Sequence, residues 1–167
     1  MRRTALVNAT GLTAAAAQQA LDAQHIGGQV DIDAVFHFSQ TLKSLPAGTK
    51  VGLTVLGEAI TLTLTGPGQA ELNAASEAGH GSPKKQSMAL QVKGNETSIA
   101  LRIICDGGAI EVFAMHGRAG VSARAAKSSG EIGVVVLAGE PGAVVPPSVD
   151  VAVFPLAFLV GKGHPSR

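Results

Sequence analysis

The chain has 167 residues, 46% of them hydrophobic and 15% charged, with a formal net charge of +1. That length suits one domain that buries roughly 68–70% of its unfolded surface, and the charge is too small for its field to recruit nucleic acid or an anionic membrane. Glycine (21) and proline (8) are frequent, whereas tryptophan and tyrosine are absent and phenylalanine occurs five times. Many turns and short strands follow from the first feature, and the loss of wide aromatic platforms from the second.

One cysteine, Cys105, excludes an intrachain disulfide. No apolar run reaches the 18 residues of a membrane-spanning helix. The start is basic (Met1-Arg2-Arg3), but residues 4–13 are too polar for a signal-peptide core.

Residues 1–28 read as an N-terminal extension around one short helix. The alanine-rich stretch 12–25 carries a capping threonine, Thr13, and ends at Gly27-Gly28. From residue 29 the period changes from helical to two. Val30, Ile32, Ala34, Phe36 and Phe38 alternate with Asp31, Asp33 and His37, which predicts a half-buried strand with both aspartates in solvent. Further strands are expected at 50–56, 59–64, 69–72, 87–93, 98–105, 109–115, 119–126, 131–138 and 148–160, with a loop at 79–86 and a frayed tail at 161–167. Short strands with turns between them and no alternating helices predict an all-β, antiparallel sandwich of jelly-roll type over residues 29–160.

The stretch 98–126 carries the most information. Gly107-Gly108 suits a two-residue hairpin loop, because both positions tolerate positive φ. With that loop Asp106 faces Ala109, Cys105 faces Ile110, Ile103 faces Val112 and Leu101 faces Ala114. A slip of one residue would set Ile103 against Glu111. The other face then holds Arg102, Ile104 and Asp106 on one strand and Ala109, Glu111, Phe113 and Met115 on the next. A turn at His116-Gly117 sets Glu111 against Ser122 and makes Arg124 its diagonal neighbour. Arg102, Asp106, Glu111 and Arg124 thus share one face of three strands, with Asp106 and Glu111 about 7–8 Å apart between Cα atoms.

Asp106, Glu111, Phe113, Gly117 and Arg124 together resemble the C-terminal β-sandwich of glycoside hydrolase family 32 (invertases, inulinases, levanases) and the related levan-binding modules. Leu101-Arg102-Ile103 and Val153-Phe154-Pro155-Leu156 fall where that domain has its analogous strands. The chain departs from the family at Gly107-Gly108-Ala109, where Arg-Ser-Ser is usual, and at Ala125-Ala126-Lys127, where an aromatic-proline pair is common. The resemblance implies a module outside the cell or in the periplasm that accompanies a catalytic propeller. The propeller's Asn-Asp-Pro-Asn-Gly, Arg-Asp-Pro and Glu-Cys signatures do not occur in these 167 residues.

Three readings follow for the chemistry. In the first, Asp106, Glu111, Arg124 and Arg102 hold fructan or fructoside hydroxyls and catalyse nothing. In the second, the module packs on a propeller or self-associates, Asp106 bonds nearby backbone, and Glu111 pairs with Arg124 or Arg102. In the third, Asp106 and Glu111 act as a glycosidase pair at the separation of an inverting enzyme. Cys105 falls on the apolar face as a small hydrophobe rather than a nucleophile. His25, His37, His80, His116 and His164 show no ligand spacing, so no metal or other cofactor is expected. Calcium at Asp31 and Asp33 is a minor alternative.

Overall fold

A computed structural model describes residues 4–76, 86–137 and 148–156. The expected loop at 79–86, apart from Gln86, and the tail at 161–167 lie outside these residues. Among the described residues, thirteen strands, one α-helix and a short 3-10 helix (Leu42–Ser44) follow in chain order. They are β1 (Val7–Leu12), α1 (Ala14–Asp22), β2 (Ile26–Gly27), β3 (Gln29–His37), β4 (Lys50–Val55), β5 (Glu58–Gly66), β6 (Gln69–Ser76) and β7 (Gln86–Gln91). The second half comprises β8 (Ser98–Asp106), β9 (Ala109–Ala114), β10 (Ala119–Arg124), β11 (Ser129–Gly130), β12 (Ile132–Leu137) and β13 (Ser148–Pro155).

A six-stranded sheet, β1-β13-β3-β8-β9-β10, faces a five-stranded sheet, β12-β4-β5-β6-β7, and β2 and β11 form a small ribbon. Every pairing is antiparallel. The predicted all-β sandwich is what forms. The stretch 1–28, read above as an extension, supplies β1, which pairs with β13 in the larger sheet. It also supplies α1, capped by the Thr13 hydroxyl accepting from the Ala16 N–H at 3.2 Å. That helix is shorter than expected and ends at Asp22, with Ala23 as its C-cap, before the two glycines. With Ala17 and Leu21 buried, it packs against β12 and β1, edge strands of the two sheets.

A one-residue bulge interrupts β1 between Ala9 and Leu12, with Gly11 at φ +65°. The Gly11 N–H donates to Asp150 Oδ1 at 2.6 Å, and His37 Nε2 lies 2.9 Å from Oδ2 of the same carboxylate. The Gly11 N–H is the chief cause holding the Asp150 carboxyl below the ordinary carboxylate range, with the His37 bond adding to it. This contact fixes the first strand to β13.

The interior is aliphatic. Phe36, Ile32, Leu53, Ile60, Leu62, Leu72, Ile99 and Ile103 are sealed from solvent, each stabilising the fold by about 1.5–3 kcal/mol. Gly52 is forced by crowding, since a Cβ there would lie 2.0 Å from the Ile60 carbonyl oxygen. Cys105 is fully buried, as its place on the apolar face predicts, and burial pushes its thiol up to about 12. Glu58 is the most buried of the polar side chains among the described residues. It is 1% exposed, lies at the start of β5 with the inward-facing Ile60 and Leu62, and its Oε1 has no hydrogen-bond partner.

A buried oxygen without a partner costs free energy that an apolar side chain of similar length does not. Glu58→Met is therefore expected to raise stability by about 1–2 kcal/mol in urea or thermal unfolding. Cys105 is expected to resist maleimide labelling in the native protein and to react on unfolding, read by intact mass.

Candidate functional site

The ladder β3-β8-β9-β10 carries the residues singled out in the sequence. Gly107 and Gly108 both take positive φ, +56° and +100°, and close a two-residue loop. Cys105 pairs with Ile110, Ile103 with Val112 and Leu101 with Ala114, as the apolar pattern required. Glu111 pairs with Ser122, and Ala109 with Arg124. Arg102, Asp106, Glu111 and Arg124 therefore point to the outer, solvent side of the six-stranded sheet, and all four are exposed. The turn into β10 spans residues 115–118 and is strained. Met115 and His116 adopt φ +52° and +59°, and Gly117 φ +86°. Arg118 holds it, donating from Nε to the Met115 carbonyl at 3.2 Å and from Nη1 to the Gln91 carbonyl at 3.1 Å, and pairing with Glu96. That turn draws Met115 inward to 4% exposure, whereas strand alternation alone places it on the outer face with Phe113.

Several expectations need correcting at the level of contacts. Asp31 is not solvated: it is 5% exposed and takes a two-pronged bond from Arg102, Nε to Oδ1 at 3.0 Å and Nη2 to Oδ2 at 2.8 Å. Register explains this, because Asp31 stands opposite Ile104 and diagonal to Arg102 on the neighbouring strand. Arg102 is thus committed to Asp31 rather than to Glu111. Asp106 accepts from the Gln29 side chain at 3.3 Å rather than from nearby backbone. Glu111 and Arg124 make no ion pair with each other or with any other described residue. No group of three or more histidine, cysteine, aspartate or glutamate side chains is arranged to hold a metal among the described residues.

Sequence reasoning did not find the cleft beside this cluster. About 560 Å³ in volume, it lies on the outer face where Asp33, Val35, Arg102, Phe113, His116 and Gly117 come together. Asp33 stands directly opposite Arg102, which in turn stands opposite Phe113. Burial, and next the charge of Asp31, pushes the Asp33 carboxyl above its ordinary range, with Arg102 pulling partly the other way. Phe113 is 38% exposed. Its ring lies beside the cross-strand partner Gly120, where a Cβ would meet it at an ordinary contact distance of 3.6 Å. The signal in the sequence was the row Asp33, Arg102, Phe113, which becomes visible only once the β3–β8 register is known.

Comparison with known families settles the kinship. The family model "Glycosyl hydrolases family 32 C terminal" matches residues 3–143. The chain belongs to this family. No curated protein sequence is significantly similar to it. Among solved structures the module superimposes on the exo-inulinase from Aspergillus awamori with a TM-score of 0.54 at 10% identity, over 94% of this chain and 29% of that one. Fructan 1-exohydrolase IIa from Cichorium intybus gives 0.52 at 11%, over 93% and 35%. Sucrose-6-phosphate hydrolase from Lactobacillus gasseri gives 0.51 at 14%, over 94% and 28%. At such identities the likeness concerns the fold. The module spans between 28% and 35% of these three enzymes.

The two kinds of arginine contact predict different stabilities. Arg102→Ala removes the two-pronged bond to the buried Asp31 carboxylate and is expected to cost about 1–3 kcal/mol. Glu111→Ala, at an exposed and unpaired position, is expected to stay within about 0.5 kcal/mol. Urea unfolding of both variants checks the contrast.

Proposed function

We propose that this family 32 C-terminal module is a non-catalytic carbohydrate-binding accessory domain. It holds fructan or fructoside hydroxyls on the outer face of its six-stranded sheet through Asp106, Glu111 and Arg124, with Arg102 beside them. The observation that carries this reading is the state of Glu111 and Arg124: both are exposed and unspent among the described residues. They lie on adjacent strands within diagonal reach. A carboxylate accepts from two neighbouring hydroxyls and a guanidinium donates to two oxygens, so the set matches a vicinal diol without any tuning of proton affinity. Two of the similar structures are named for fructan substrates, inulin and fructan, which makes fructose polymers the first ligands to test.

Hydrolysis is not assigned to Asp106 and Glu111. Both stand in open solvent, whereas a carboxylic acid acting as proton donor relies on a setting that shields it from water. A second reading, docking on a catalytic propeller domain, draws on the small share of the similar enzymes that this module covers. It also draws on Leu6, 45% exposed where the chain enters edge strand β1.

Calorimetric or NMR titration with fructose, sucrose, inulin and levan decides between them. Binding is expected at millimolar ligand or below, with Glu111→Ala and Arg124→Ala each weakening it at least about tenfold, the equivalent of 1.4 kcal/mol. Absence of heat and of shifts with every saccharide ends the carbohydrate reading and leaves docking.

A further inference from the structure

We infer that the cleft beside Phe113 is a second saccharide subsite, which takes the neutral sugar unit next to the one held at Glu111 and Arg124. The inference rests on the carbohydrate reading above and extends it from one sugar unit to a chain.

Three features of the cleft argue for a ligand. Its volume of about 560 Å³ lies within the range of small-molecule sites. One of its charged groups is already positioned. The Asp31 carboxylate, 6% exposed in its side chain, fixes the Arg102 guanidinium at two nitrogens, which leaves three of its five N–H donors outside that pair. A side chain whose conformation is set before binding loses little entropy when a ligand arrives. Directly opposite, Asp33 supplies acceptors. Phe113 supplies an exposed apolar face, and a ring without a hydroxyl offers stacking and nothing else. An apolar surface flanked by a rigid donor and an acceptor suits a sugar ring, which is apolar on one side and hydroxylated at its rim.

Charge narrows the class. Asp31, Asp33 and Arg102 together sum to one negative charge, so sugar phosphates and uronates are disfavoured relative to neutral saccharides. Position supplies the chain. Phe113 and Glu111 are two residues apart on β9, about 7 Å along the strand, and the row holding Asp106 and Arg124 lies about 13 Å from Phe113. One monosaccharide cannot reach from the first row to the last, whereas neighbouring units of an oligosaccharide can.

The test is affinity against chain length, using fructose, sucrose and inulin oligosaccharides up to the pentasaccharide with the full chain. The wild type is expected to bind oligosaccharides about tenfold more tightly than fructose. Amide shifts at Phe113, His116 and Gly117 are expected with oligosaccharides only. Phe113→Ala and the size-preserving Phe113→Leu are each expected to remove that gain and leave fructose binding intact, while Glu111→Ala weakens every ligand. A chain-length gain that survives both Phe113 variants overturns the subsite, as does wild-type affinity that does not vary with length. Loss of fructose binding in the Phe113 variants overturns it too, since the two places are then one. A wild type that binds no saccharide overturns the carbohydrate reading itself, and the subsite with it.

Discussion

The register fixed by Gly107 and Gly108 is the constraint on which the outer face depends. Side chains alternate strictly along a strand, so moving the turn by one residue would send Glu111 and Phe113 inward and bring Val112 and Ile110 to the surface. Positive φ at both positions lets the chain reverse in two residues, and the right-handed twist of β8 and β9 favours that geometry. Every polar contact on the face follows from this alternation. The interior opposes such a slip, because Ile110 and Val112, paired with the buried Cys105 and Ile103, are sealed from solvent and would have to be exposed.

Within that frame the outer face contains two electrostatic environments. Around Asp31 the sheet is crowded, the carboxylate is buried and the guanidinium of Arg102 is committed to it. Around Glu111 and Arg124 the sheet is open and neither group has a protein partner among the described residues. The first arrangement contributes rigidity, and the second leaves donors and acceptors available to a ligand. Phe113 stands between them, opposite Arg102 on one side and Gly120 on the other.

The sandwich keeps this face fixed by means remote from it. Asp150 ties the bulge at Gly11 to β13, α1 packs against the edge strands β1 and β12, and Arg118 braces the strained turn at residues 115–118 against the Gln91 carbonyl and Glu96. A turn with three consecutive positive-φ residues is costly by itself. It persists here because the Arg118 bonds and the burial of Met115 offset that cost. The result places His116 at the cleft rather than along the strand.

Period two in residues 30–38, the paired glycines at 107 and 108 and the apolar matches from Leu101 to Ala114 were sufficient to give the all-β class, the β8–β9 register and the shared face of Arg102, Asp106, Glu111 and Arg124. Those are local properties, settled by alternation and by which residues tolerate a turn. The pairing of β1 with β13, the burial of Asp31, the inward turn of Met115 and the cleft at Phe113 were not legible in the same way. Each depends on which strand lies beside which, across separations as long as that from Gly11 to Asp150, and a polar residue on an alternating strand reads as exposed until a neighbour covers it. The sequence by itself therefore determined which side of each strand a residue takes. Only the tertiary structure decided who stands next to it, because burial and ion pairing are properties of neighbours brought together by the sheet.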